Sequence, residues 1–437
     1  MKLTSIYTPL LLFMLVIGAC RKDDDPVFDK TADERINEAL SKYQAALIGA
    51  PDGWEARIVT GTGGIFNFHF QFKPNNRVSM YADIDTATAG NARESSYRLK
   101  ALQQPSLIFD TYSYLHQLAD PDGNVNGGDD GSGLVSDFEF SIDTVTTDSI
   151  KLTGRFNNTK VTLLRAAPQD AAAWQNGDWR NTLSFQYIAN IQEYFKRLTF
   201  SGAAYDLRFN VLQRTITFVW ADAGGTLRQF TSAYFYTREG LILETPFNDG
   251  TRTITRLTGA GWNNNTLRVT INGNTPGTIA GAISPIKNDL GAPRRWWETM
   301  ASQQGYWITG NGFHVNGVDD AFRMRSIPNF YFAIYWPEYN TQDGVTYDVM
   351  GYVVVANNSL ALQFGSAWEP PTFTANGRVI FRLLGTLGTV PASAVSIYNN
   401  INTQMEEPSG YYLVQTSTGS YDMVSAKDAR AWITWEQ

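Results

Sequence analysis

Cysteine is almost absent, since Cys20 is the only one in 437 residues. No intrachain disulfide can form, so the fold rests on its packed core. Histidine is nearly as scarce. His69, His116 and His314 are far apart, and there is neither a His-Glu-x-x-His pattern nor a Cys pair, so no zinc motif can be read from the chain. Positive charge is in deficit, with 35 Lys and Arg against 42 Asp and Glu and a formal net charge of -7. That balance excludes the basic footprint of a nucleic-acid-binding protein. The Gly-Lys-Ser/Thr of a nucleotide loop and the Gly-x-Ser-x-Gly of a hydrolase elbow are also missing. The apolar run Leu10 to Ile17 is too short to span a bilayer, which takes about 20 residues.

That run has a different meaning. Lys2 supplies a positive start, and Gly18 and Ala19 are the small residues a signal peptidase requires. Residues 1–19 therefore read as a secretory signal. Cys20 then stands where a lipoprotein peptidase leaves a thiol for diacylglycerol, and stable anchoring follows when two or more acyl chains are attached. Residues 20–30, opening Arg21-Lys22-Asp23-Asp24-Asp25, are a solvated tether with nothing to bury. Cleavage would leave 418 residues and a net charge of about -8, enough chain for two or three domains.

Thr31 and Glu34 form a capping box, and Ile36, Leu40, Tyr43 and Leu47 recur at helical spacing, which predicts a helix over 32–48. Pro51-Asp52-Gly53 ends it and Trp54 opens a strand. In Ile65 to Phe72, Phe66, Phe68, Phe70 and Phe72 share one face. Further strands follow at 95–102, 106–111, 138–142, 149–156 and 160–164. Strands this closely spaced predict an antiparallel barrel or sandwich.

The plan repeats. Phe72 with Arg77 recurs as Phe209 with Arg214, and each leads to an Ala-Asp pair, Ala82-Asp83 and Ala221-Asp222. Ser106 to Thr111 is echoed by Gly240 to Thr245, and Leu152-Thr153-Gly154 by Leu257-Thr258-Gly259. Three echoes in one order predict two related β modules, 31–167 and 168–285, the second entered by a helix from Leu183 to Leu198. Residues 286–437 form a third, aromatic-rich β module, with short helices near Pro293 and over 391–402. The expected fold class is mainly β, of barrel or sandwich modules with few helices.

No catalytic residue stands out. His69 sits opposite the Phe face of its strand, where a solvated imidazole is expected. His116, with Asp110 and Asp120 nearby, has the composition to move protons or, as readily, to orient a loop. Asp122, Asn124, Asn126 and Asp130 fall at calcium-loop positions, but Gly133 stands where a bidentate Glu is wanted, and a hairpin loop explains the composition equally. The adjacent acids Glu406 and Glu407 say nothing of the spacing a glycosidase needs. The aromatic residues carry the stronger signal. Seven of twelve Trp lie at or beyond Trp296. Trp296, Trp297, Trp336 and Tyr339 are the candidate ligand-stacking rings, with Glu338 and Asn340 placed to bond hydroxyls. The same rings also suit β cores.

Ile17-Gly18-Ala19-Cys20 with its acidic follow-on, the helix Ala32 to Leu40, Leu107 to Tyr112, and Ser136 to Phe140 together resemble Bacteroidetes lipoproteins carrying domain of unknown function 4302. The resemblance implies an outer-membrane lipid anchor facing the cell surface, beside TonB-dependent transporters and their substrate-capturing lipoproteins. It also implies glycosylation at Asp85-Thr86-Ala87, Asp143-Thr144-Val145 and Asp148-Ser149-Ile150. It carries no catalytic residue. The expectation is a non-enzymatic accessory that holds a glycan or peptide for import. The alternatives are a surface hydrolase and a structural subunit of a transporter complex.

Overall fold

The computed structural model describes residues 30–437. The signal, Cys20 and nearly all of the tether lie outside the described residues. Helix α1 (Ala32–Ile48) starts at the expected box, with the Glu34 N–H donating to Thr31 Oγ1 and the Thr31 N–H to Glu34 Oε2.

Eight antiparallel strands then close a barrel: β1 (Trp54–Val59), β2 (Ile65–Phe72), β3 (Arg77–Ala82), β4 (Arg93–Ala101), β5 (Pro105–Phe109), β6 (Glu139–Val145), β7 (Ser149–Gly154) and β8 (Lys160–Arg165). β8 returns to β1, pairing Arg165 with Trp54. Alternation sends Phe66, Phe68, Phe70 and Phe72 inward, where they meet Val78, Met80, Leu107, Phe140, Leu152 and Val161. An eight-stranded barrel is just wide enough for side chains to fill. Arg57, Ser79, Lys151 and Thr162 face outward, so the barrel is apolar inside and polar outside, the reverse of a channel-forming membrane barrel.

A second barrel follows: β9 (Phe195–Phe200), β10 (Ala203–Asn210), β11 (Thr215–Ala221), β12 (Leu227–Thr237), β13 (Gly240–Asn248), β14 (Thr253–Asn263), β15 (Thr266–Ile271) and β16 (Thr275–Ala282), closed by β16 on β9. The chain is thus mainly β with two related barrels, as the repeats predicted. Two echoes are topologically equivalent: each Phe–Arg pair flanks the turn between second and third strands, and each Leu-Ile segment is a fifth strand. The third is not, because Leu152-Thr153-Gly154 ends a seventh strand and Leu257 to Gly259 lies in a sixth.

Short helices fill the seam between barrels: α2 (Thr86–Gly90), then α3 (Tyr114–Leu118) and α4 (Gly123–Asn126) beside the first barrel, α5 (Pro168–Gln175) and α6 (Asp178–Thr182). Trp174 and Trp179 stack at 4.3 Å and cover the outer face of β1 to β3. His69 is therefore buried, not solvated as expected. Its Nδ1 lies 3.1 Å from Glu55 Oε1, which also accepts from Trp174 Nε1 at 3.0 Å. The helix expected over 183–198 breaks in two: Leu183–Asn190 is 3-10, and Phe195 and Leu198 belong to β9. Three residues apart on a strand, they face opposite ways, Leu198 into the barrel and Phe195 toward the third module.

That module holds α7 (Ala292–Gln303), α8 (Val395–Met405) and one sheet of β17 (Trp307–Thr309), β18 (His314–Val315), β19 (Phe330–Gln342), β20 (Val345–Ala356), β21 (Ser359–Trp368), β22 (Thr372–Phe373), β23 (Val379–Ile380), β24 (Leu383–Gly388), β25 (Tyr411–Ser417), β26 (Ser420–Ser425) and β27 (Ala431–Glu436). Both helices pack on an apolar core that includes Trp296, Trp307, Tyr335, Trp368, Ile401 and Trp435. No helix among the described residues is long and apolar enough to cross a membrane.

Candidate functional site

The barrel interiors are filled. Inside the first, the space among Ile58, Phe70, Leu115 and Val161 is about 10 Å³, room for at most one water. The larger cavities lie outside the barrels.

Among the aromatic residues that the third module leaves partly open is a group built on a break in β19. β19 and β20 pair regularly up to Trp336 with Val349, and resume at Asn340 with Tyr347. Between them Pro337, Glu338 and Tyr339 form a bulge, Pro337 buried and Glu338 exposed, with Glu338 in the left-handed region at φ 51°. Asp348 holds this shape from behind. It is fully buried, and its carboxylate accepts the Glu338 N–H at 2.8 Å, Trp297 Nε1–H at 2.7 Å and Tyr335 Oη–H at 2.7 Å. Burial raises its pKa above the ordinary carboxylate value, and those three donors oppose the rise.

On the outer side, Trp336 and Tyr339 meet edge to face at 5.2 Å, and Tyr347 lies 6.1 Å beyond Tyr339. Tyr306 joins from the opposite flank, 5.2 Å from Trp336 and well exposed. Its position follows from register, because Trp307 pairs with Tyr335 and so sets Tyr306 beside Trp336. Glu338 and Asn340 are exposed at the rim. The result is a ring surface edged with hydrogen-bonding groups.

The four predicted rings divide. Trp336 and Tyr339 are on the platform. Trp297 is half-buried behind it, bonded to Asp348 and edge-on to Phe373 at 6.2 Å. Trp296 is corrected from candidate ligand ring to core residue. It is wholly buried against Trp307, Tyr335 and Trp435, because one residue along α7 turns a side chain by about 100°. Tyr306 was missed, and only the pairing of β17 with β19 reveals it.

The other candidates are structural in what they touch. His116 is buried between Tyr112 and Phe138, at 5.7 and 4.7 Å, with Nδ1 accepting the Ser113 N–H and Nε2 on the Phe109 carbonyl. Burial lowers its pKa, which favours the neutral ring. Asp122 Oδ1 accepts from the Asn124 N–H, and Asp130 Oδ1 from the Gly123 N–H. Asn126 donates to the Gln117 and Asp120 carbonyls. Each therefore serves the loop's own backbone, and no group of three or more His, Cys, Asp or Glu gathers among the described residues. Glu406 accepts the Leu383 N–H and Glu407 the Ser409 N–H.

No curated protein matches the chain. One family does, described as a domain of unknown function (DUF4302), over residues 24–263, more than half of the 437-residue chain.

Proposed function

We propose that this chain, which belongs to the family of domain of unknown function 4302, is a lipid-anchored binding protein of the outer membrane. In this reading Cys20 carries the acyl chains, residues 20–30 hold the body away from the bilayer, and the body captures a glycan or peptide without cleaving it. A TonB-dependent transporter and its substrate-capturing lipoprotein are the partners this role calls for.

The observation that carries the reading is the Tyr306, Trp336 and Tyr339 surface on a bulge fixed by Asp348. Flat rings stack on the C–H faces of sugars and on peptide side chains. Because Asp348 fixes the bulge beforehand, little ordering entropy is lost when a ligand settles on it.

Anchoring is tested by growing cells on labelled palmitate. The wild-type chain should carry the label and be cleaved by trypsin added to intact cells. Cys20→Ser should lose the label and leave the membrane fraction. Retention of the variant in the membrane, or resistance of the wild type to trypsin, would count against a surface lipoprotein.

A further inference from the structure

A second site lies where the second barrel meets the third module. The junction is tightly made. The Tyr194 N–H donates to the Ala429 carbonyl at 2.7 Å, Tyr194 Oη–H to Asp422 at 2.6 Å, and Arg430 forks onto Glu193. Phe195, Val424 and Ala429 are buried together beside these bonds. Next to them opens a cavity of about 550 Å³, within the size range of small-molecule sites.

Its walls are fixed in advance. The strap from Pro285 to Asp289 is pinned to the barrel at one end, where Asp206 accepts the Ile286 N–H and Arg197 donates to the Ser284 carbonyl. At the other end Asn288 donates to the Asn376 and Gly377 carbonyls. The hairpin turn of β25 and β26 supplies Gln415, Thr416, Ser417 and Thr418 as a hydroxyl and amide wall.

Charge decides what fits. Asp206 is neutralised by Arg197, with bonds of 2.8 and 3.2 Å. Asp289 is neutralised by Arg295, and Arg228 by Asp222. Two lining cations remain, Arg208 and Lys287, and neither has an ion pair among the described residues. Arg208 is half-buried on β10. Lys287 reaches from the strap over the β11–β12 turn, where a Cβ built on Gly225 would meet its Nζ at 3.2 Å. Two cations without ion pairs thus line one cavity of mixed polar and apolar walls, Arg208 half-buried and Lys287 exposed, and an anion bound there would meet both.

We infer that this cavity binds an anionic small molecule bearing carboxylate groups, about the size of a disaccharide or dipeptide. Arg208 would hold a carboxylate through its planar fork and Lys287 as a point charge, with the 415–418 turn bonding the polar remainder. The site is distinct from the aromatic platform and does not depend on it.

The test is calorimetric titration of the whole mature chain with digalacturonate and with Glu-Glu dipeptide, each beside its neutral counterpart, the methyl ester or the amide. At least one acid should bind, more weakly as salt rises, and its neutral counterpart should not. The double substitution Arg208→Gln, Lys287→Gln removes both charge-assisted contacts and should lower that affinity by about tenfold or more. Lys287→Gln alone, in the exposed strap, should lower it in part with the thermal midpoint unchanged. Trp336→Ala should leave it intact. Which acid binds tells a uronic acid from a peptide terminus. The proposal is overturned if neither acid binds, if a neutral counterpart binds as well, or if the double variant binds as tightly as the parent.

Discussion

Arg214 of the second barrel lays its guanidinium against Asp83 of the first, Nη2 to Oδ1 at 2.8 Å, with both side chains buried. Arg214 also donates through Nη1 to the Ile65 carbonyl at 2.5 Å and through Nη2 to the Asp83 carbonyl. Phe66 lies 4.0 Å from the cation and Tyr236 5.0 Å. Asn67 completes the shell, donating to Asp83 and to the Tyr236 carbonyl. A buried ion can persist only when matched and fully bonded, and this one is.

Removing one partner leaves the other charge buried and unmatched. Arg214→Met should cost about 3–5 kcal/mol in denaturant unfolding. Replacing both, Arg214→Met with Asp83→Leu, should cost less than the sum of the single changes. Additive losses would show that the pair is not coupled.

Lys196 is largely buried on β9, donates to the Glu193 carbonyl at 3.1 Å, and has its pKa lowered by burial from 10.5 to about 8. A lowered pKa means the unfolded chain binds the extra proton between those values. Stability should therefore rise with pH from about 8 to 10.5, and the buried charge is a cost at neutral pH. Lys196→Met should gain about 1–2 kcal/mol at pH 7, part of the gain being lost with the bond to Glu193, and should flatten the alkaline rise. Unfolding curves at neutral and alkaline pH measure both effects.

His116 works in the same sense in acid. Burial depresses its pKa from 6.5, so the unfolded state gains a proton first, and stability should fall as pH drops below 6.5. His116→Phe keeps a ring between Tyr112 and Phe138 and should remove that part of the acid dependence. An unchanged pH profile would assign the loss to other groups.

Trp296 and Trp336 share a residue type and should respond differently. Trp296→Ala opens a hole among Trp307, Tyr335 and Trp435 and should cost about 3–5 kcal/mol. Trp336→Ala, on the outer side, should cost much less. Asp348→Ala should do both kinds of harm, stranding three donors at about 1–3 kcal/mol and releasing the bulge under the platform. Thermal melts beside binding measurements separate the three.

These contrasts show what the chain reveals by itself. Capping chemistry and strict alternation are local, so α1 and the Phe66 to Phe72 strand could be read directly. The repeat could be read too, but the different uses of its matched residues could not. Ala82-Asp83 and Ala221-Asp222 look alike, yet Asp83 fastens the barrels while Asp222 pairs with Arg228 at the surface. Arg77 meets Glu94 in the open, while its counterpart Arg214 is buried. Tyr306 and the interdomain cavity arise from pairings distant in sequence, and no spacing rule reaches them. His69 was misread because the covering Trp174 lies 105 positions later in the chain.

The central claim is that the bulged ring surface captures a ligand and leaves it whole. The most direct measurement is titration of the mature chain with the glycan or peptide recovered from an array, followed by mass analysis of that ligand, in parallel with Trp336→Ala and Tyr339→Ala. The account predicts saturable binding, ligand returned at its original mass, and a loss of affinity in both variants at unchanged fold. Cleaved ligand, or variants that bind as the parent does, would contradict it.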